Sequence, residues 1–439
     1  MKNVLVTGAN GFVGRNLCLA LAQRKDVKLF RYDVDSTPDE LEQALAVADV
    51  IFHLAGVNRP SNVDEFKTGN ADFTESLCAS LLSLKRTPLI VLSSSIQASL
   101  ENPYGVSKRQ AEISVENYAR KAAALCLPPS LQSPFDVGSS ELNVGCSPCL
   151  SSFYAIYRLP NVFGKGCRPN YNSAVATWCH NIANGLPIQV RDPDATVTLV
   201  YVDDVVDAFV NDLKIFNAAS LRQGYGGQEA QRRGEGLAET GGVGDIENEK
   251  GYRSIPVTYT KTLGEITTLI ESFKSSRSTL QVPDQADGFT KKLYAAYLSC
   301  LPTDQFSYPL KMNVDARGSF TEFLKAPDRG QVSVNISKPG IVKGNHWHHT
   351  KVEKFLVVSG KGVIRFRKVG EGNQSRGEEA QRDYDLLEYF VAGDKLEVVD
   401  IPPGYTHNIE NLGDTDMVTV MWANEALDPD KPDTFYEKV

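Results

Sequence analysis

Cysteine, histidine and long apolar runs are all scarce in this chain of 439 residues. The eight cysteines are scattered over that length, which excludes a small disulfide-stapled scaffold and leaves reduced thiols as the expectation. No apolar stretch approaches the roughly 20 residues needed to cross a bilayer. The start also lacks a basic region followed by an apolar core and a cleavage site. The expectation is therefore a cytoplasmic protein without a membrane span. A basic excess is missing too, since 46 Lys and Arg stand against 54 Asp and Glu, for a net charge of −8. That balance argues against nucleic acid or a membrane surface as the main partner, and leaves room for a local basic pocket that takes a phosphorylated substrate. The length exceeds one ordinary core, so two domains plus insertions are expected.

The opening residues are the most informative. Val4-Leu5-Val6-Thr7 runs as a buried strand straight into Gly8, Asn10, Gly11, Phe12, Val13 and Gly14. Glycines there let the backbone turn tightly against a pyrophosphate, while a helix from Phe12 to Leu21 points unpaired N–H groups at the anion. A second strand, Val27 to Asp33, ends where a bound dinucleotide presents its adenosine ribose. Its signal is mixed. Asp33 and Asp35 suit a free 2′-hydroxyl, whereas Arg31 suits a 2′-phosphate, so the residues leave NAD and NADP both open. A helical stretch from Leu41 to Val47 leads to a third strand, Val50 to Gly56, whose end (Leu54, Ala55, Gly56) lets a cofactor lie close to the backbone. His53 reads as a packed strand-end histidine.

A fourth strand, Leu89 to Leu92, ends in Ser93-Ser94-Ser95, and Tyr104 and Lys108 follow on one helix face. A tyrosine of ordinary pKa near 10 is a poor acid at neutral pH. A neighbouring ammonium and a positively charged nicotinamide lower that value, and a serine hydroxyl orients a substrate carbonyl. Ser95, Tyr104 and Lys108 are thus the candidate catalytic residues.

With these motifs in this order, the amino half resembles the extended short-chain dehydrogenase/reductase family. Tyr157 to Gly164, including Pro160, is similar to that family's segment beside the nicotinamide, and Tyr201-Val202-Asp203-Asp204-Val205 to its later substrate-domain motif. The resemblance implies an α/β Rossmann domain over residues 1–300. In the family's sugar dehydratases an Asp-Glu pair follows the catalytic Ser or Thr, whereas Ile96 and Gln97 follow Ser95, so carbonyl reduction is the better fit.

Two segments, 122–152 and 218–253, are rich in proline, glycine and polar residues and read as insertions. Cys146 and Cys149 lack the second pair that a zinc site needs, and the spacing reads as incidental. Gln228 to Arg232 is partly echoed by Glu378 to Arg382, which marks 370–383 as a further insertion.

After a linker at 301–309, residues 310–439 hold short β runs punctuated by glycine and proline, the pattern of a sandwich or barrel. Four of the six histidines fall here. His346 and His348 alternate on one strand face, Glu353 follows, and His407 comes after a turn. Three imidazoles and a carboxylate suit zinc or another divalent transition metal; His349 is left as a neighbour.

This second half resembles the cupins, and the pair of halves is similar to bifunctional nucleotide-sugar enzymes of capsule and O-antigen (N-acetyl-L-fucosamine) synthesis. That resemblance implies a UDP-linked 4-keto-6-deoxy amino sugar as substrate, NADPH as reductant and a homodimer. The cupin half would epimerise carbon 3 and the reductase half would reduce carbon 4, giving UDP-2-acetamido-2,6-dideoxy-β-L-talose. Two other classes stay open: an NAD-dependent 4-epimerase, and a nucleotide-sensing protein without turnover.

Overall fold

A computed structural model describes residues 1–126, 150–223, 251–369, 386–426, 428 and 430–439. Cys146-Ser147-Pro148-Cys149, the whole of 370–383 and most of the other two expected insertions lie outside the described residues. Among the described residues six cysteines are free thiols, and no helix is long and apolar enough to cross a membrane. The chain divides into two compact units, Met1–Thr268 with Ala295–Cys300, and Leu269–Tyr294 with Leu301–Val439.

The first unit is built on β1 (Lys2–Thr7), α1 (Phe12–Ala22), β2 (Val27–Tyr32), α2 (Pro38–Val47) and β3 (Val50–His53). It continues through a short helix α3 (Asp64–Phe66), a π-turn (Lys67–Asp72), α4 (Phe73–Ser83), β4 (Leu89–Ser95), α5 (Pro103–Leu125) and β5 (Tyr154–Leu159). Strands β6 (Asn161–Phe163) and β7 (Thr196–Tyr201), helices α6 (Ala174–Ala183) and α7 (Val202–Gln223), β8 (Tyr252–Arg253) and β9 (Tyr259–Thr262) complete it. The main sheet runs β2-β1-β3-β4-β5-β8 and is parallel throughout.

Why both faces of that sheet are covered is written in the strands. Val4 and Val6, Val50 and Phe52, and Leu89 and Val91 pack with α1 and α7 through Leu17, Leu21, Val205 and Phe209. Their alternating neighbours Leu5, Ile51, Ile90 and Leu92 pack on the opposite face with Leu45, Leu77, Leu81, Val115 and Tyr118 of α2, α4 and α5. Continuous apolar strands are what a doubly covered parallel sheet requires. The chain crosses from β2 back over β1 to β3, which creates a switch point where ligands of open α/β sheets bind.

Two expected boundaries differ from the structure. Helix α5 continues through Leu125 with Ala122 fully buried, because it keeps its apolar face on the core past the first polar residues, and α7 continues to Gln223.

The unit boundaries fall within α8 (Leu263–Thr279) and α9 (Gly288–Leu298). The second unit is otherwise antiparallel β. One sheet has the order β10-β11-β12-β19-β14-β17 and the other β16-β15-β18-β13-β20. The strands are β10 (Asn313–Asp315), β11 (Gly318–Ala326), β12 (Gly330–Ser337), β13 (Val342–Trp347), β14 (Glu353–Ser359), β15 (Lys361–Lys368), β16 (Leu387–Ala392), β17 (Val398–Ile401), β18 (Tyr405–Asn411), β19 (Met417–Ala423) and β20 (Phe435–Tyr436). Phe355 and Val357 from one sheet and Ile364, Phe366 and Ile409 from the other form one buried cluster, giving a cupin-like sandwich.

Candidate functional site

The dinucleotide turn follows β1. Gly8 has φ +69°, and a Cβ there would sit 2.6 Å from the Ala55 nitrogen; a Cβ on Gly14 would sit 2.0 Å from the Gly8 oxygen. Only glycine allows this close passage. Gly11 caps α1 without a side-chain bond, and no acidic residue stands in the first turn, so the helix N-terminus is left to a phosphate. A cleft of about 710 Å³ opens there, bordered by Gly8, Asn10, Gly11, Phe12, Val13 and Gly14. Leu54, Gly56, Ser95, Tyr104, Lys108 and Pro160 border it too. This lining fits a dinucleotide.

Two expected residues do not line the cleft. Ala55 acts through its backbone, packed behind Gly8. Arg31 is exposed on β2 away from the lining, whereas Arg15, one turn into α1, does line it beside Asp33 and Val34. The Asp33 carboxylate accepts N–H bonds from Asn10 (2.7 Å) and Val34 (2.8 Å), which fixes the turn.

Helix α5 carries Tyr104 and Lys108. It starts sharply because Pro103 opens it and the Asn102 side chain accepts the Gly105 N–H at 2.7 Å. Tyr104 and Ser95 both border the cleft. Burial raises the Tyr104 phenol and the Ser95 hydroxyl opposes that, so the lowering expected from a neighbouring ammonium is not a property of the protein groups alone. Lys108 Nζ donates to the Ser93 carbonyl at 2.9 Å. Burial pushes Lys108 down to about 8, with the Glu112 carboxylate opposing.

Several contributors escaped the sequence reading. Glu112, one helical turn past Lys108, accepts from Ser94 Oγ at 2.5 Å and pairs with Arg158 at 2.7 Å, tying α5 to the strand end that presents Ser93 and Ser95. Its spacing of four from Lys108 was the available signal. Asn70, in the π-turn, accepts from Val57 N and donates to Ser107 Oγ at 3.1 Å; nothing local marks it. His53 bridges Thr7 Oγ1 (2.7 Å) and Thr74 Oγ1 (2.9 Å), and Thr74 in turn donates to the Asn70 carbonyl. Burial, with Lys108 adding to it, pushes His53 down to about 3, so it is a neutral packing tie.

In the second unit His346, His348, Glu353 and His407 converge, their potential ligand atoms all lying within 4.8 Å of one another. His348 Nε2 stands 3.3 Å and His407 Nε2 3.5 Å from Glu353 Oε2. A bulge at Asn345 (φ +58°) brings His346 opposite His407 across β13 and β18. Burial, and then His407, push His346 down to about 4, which leaves its lone pair available at neutral pH. Burial raises Glu353, but the neighbouring His348 and His407 rings and the Lys351 ammonium outweigh it and hold the carboxyl below its usual range. Among the described residues neither ring nitrogen of the buried His407 has a hydrogen-bond partner. A donor set with an orphaned imidazole fits a divalent transition metal. His349 stands apart, its ring against Trp347 and Phe435. Three of the four donors, His346, Glu353 and His407, border a cavity of about 700 Å³ that also presents Lys343, Lys351, Asn335 and Arg317.

A dinucleotide cleft with a Ser-Tyr-Lys constellation, joined in one chain to a cupin-like β unit, defines a two-domain NAD(P)H-dependent reductase. Comparison with known proteins narrows this. Residues 4–215 match the NAD dependent epimerase/dehydratase family, and residues 313–435 the polysaccharide biosynthesis C-terminal domain. The chain is 39% identical over 434 residues to the UDP-2-acetamido-2,6-β-L-arabino-hexul-4-ose reductase of Pseudomonas aeruginosa, covering 98% of this chain and 97% of that one. It is 47% identical to the capsular polysaccharide assembling protein CapF of Staphylococcus aureus, covering all of both chains with a TM-score of 0.78. The chain belongs to this family of capsular nucleotide-sugar reductases.

Proposed function

We propose that the protein reduces carbon 4 of a UDP-linked 2-acetamido-2,6-dideoxy-4-hexulose after its β unit has inverted carbon 3, forming UDP-2-acetamido-2,6-dideoxy-β-L-talose. The observation that carries this is one chain holding both a cleft bordered by Ser95, Tyr104 and Lys108 and a four-donor cluster, three of whose members border a cavity of substrate size.

In the first unit the turn from Gly8 to Gly14 would hold NADPH, which when bound would supply the hydride for carbon 4. Ser95 orients the carbonyl, Tyr104 delivers a proton to the oxygen as its charge develops, and the Lys108 ammonium favours the phenolate left behind. In the second unit His346, His348, Glu353 and His407 would hold a divalent metal such as zinc, which when bound would supply Lewis acidity to the sugar carbonyl and so acidify the neighbouring C–H at carbon 3. Proton NMR and mass spectrometry of the product from the UDP-4-keto sugar and NADPH in D₂O test the whole reading. One reduced sugar with inverted carbon 3 carrying deuterium is expected; reduction with carbon 3 unchanged and undeuterated refutes the epimerase half.

Cofactor choice is read from Arg15. Arg15 lines the cleft, as does Asp33, and its guanidinium would answer a 2′-phosphate. Arg15→Ala is expected to lower the NADPH to NADH ratio of kcat/KM roughly tenfold or more, the scale of one charged hydrogen bond. An unchanged ratio removes Arg15 from cofactor selection.

The pH profile follows from Lys108. Its ammonium is lost as pH rises through about 8, so kcat/KM for ketone reduction is expected to fall on that alkaline limb. Glu112 raises the Lys108 value, so Glu112→Gln should move the limb to lower pH. A limb that stays in place separates Lys108 ionisation from the rate.

A further inference from the structure

We infer that Asp433 is a positioning residue for the four-donor centre, gripping at once the backbone between two donors and the ring of one of them. The inference rests on the metal reading above and adds a residue to it that lies 85 positions from the histidine it orients.

The turn joining His348 to Glu353 exposes three successive backbone N–H groups, and all three point at one carboxylate. His349 N donates to Asp433 Oδ1 at 2.8 Å, and Thr350 N and Lys351 N donate to Oδ2 at 2.7 and 2.9 Å. The Thr350 hydroxyl adds a bond at 3.0 Å. Successive backbone N–H groups form an anion-binding concavity, and here the anion comes from the chain itself.

The same residue's main-chain carbonyl accepts a hydrogen bond from His348 Nδ1. A carbonyl can only accept, so the proton stays on Nδ1 and the Nε2 lone pair faces Glu353 and the centre. His348 is almost wholly buried, at 1% exposure, so no water competes for this role. Such outer partners fix the tautomer and orientation of metal-ligating histidines.

The flanking residues hold Asp433 in place. Phe435 and Tyr436 pair with Trp347 and His346 on β13, Glu437 N donates to the Asn345 carbonyl at 3.0 Å, and Thr406 Oγ1, beside His407, donates to the Glu437 carbonyl. The segment from Asp433 to Glu437 therefore touches the neighbours of His346, His348 and His407 together.

The test uses the full chain, zinc and cobalt. Purified protein and the variants Asp433→Ala and Asp433→Asn are titrated with Zn²⁺ against a competing chelator, and the Co²⁺-loaded forms are compared by visible absorption. The unaltered protein is expected to bind one ion per chain. Asp433→Ala should bind it roughly 10- to 100-fold more weakly with an altered cobalt spectrum. Asp433→Asn keeps the shape and one acceptor oxygen and should fall between. Equal affinity and an identical cobalt spectrum in both folded variants overturn the role of Asp433 while leaving the centre standing. No binding by the unaltered protein overturns the metal reading and this inference with it. A variant that melts earlier yet binds zinc unchanged assigns Asp433 to stability alone and also overturns it.

Discussion

Tyr104→Phe is expected to stop NADPH oxidation while solvent deuterium still enters carbon 3 of the 4-keto sugar. The Tyr104 phenol borders the cleft with Ser95 and is the group proposed above to give a proton to the reduced oxygen; phenylalanine keeps the ring and loses the donor. Losing a general acid of this kind typically costs on the order of 10²- to 10⁴-fold. Nothing in the β unit changes, because its donor cluster is drawn wholly from residues 346–407. NADPH consumption is followed at 340 nm and deuterium by mass spectrometry of the recovered ketone. If exchange also stops in a folded variant, the two half-reactions share one set of groups and the division of labour proposed above is wrong.

The reciprocal change, His348→Ala, should empty the second centre and spare the first. His348 is buried, its ring held by the Asp433 carbonyl, and removal leaves only His346 and His407 beside Glu353. Metal occupancy should collapse by more than the roughly 10- to 100-fold that losing an outer-shell partner costs, and deuterium entry at carbon 3 should fall with it. NADPH should still reduce the unepimerised ketone, giving a sugar that differs at carbon 3. Elemental analysis, exchange and product NMR on one preparation decide the matter. Normal exchange in metal-free protein would take the metal out of the epimerisation.

What a local pattern can carry, the sequence carried alone. The strand interiors Val4–Val6, Val50–Phe52 and Leu89–Leu92 are apolar at every position, and that signature of a doubly covered sheet needs no knowledge of partners. The Gly8 to Gly14 turn is legible because its glycines answer a steric demand within one strand-turn-helix unit. Tyr104 with Lys108, and His346 with His348, stand out through short spacings that put like-directed side chains together.

The tertiary structure decided whatever depends on residues far apart in the chain. Arg31 and Arg15 are equivalent as basic residues near a dinucleotide turn, and only the course of α1 shows that Arg15 borders the cleft. The convergence of His346 on His407 depends on a bulge at Asn345, and a one-residue irregularity in strand pairing leaves no periodic trace. Asn70 and Asp433 act through hydrogen bonds to elements 13 to 85 residues away. Each is an ordinary polar residue until folding closes the distance, because a hydrogen bond operates over about 3 Å of space and is indifferent to sequence separation.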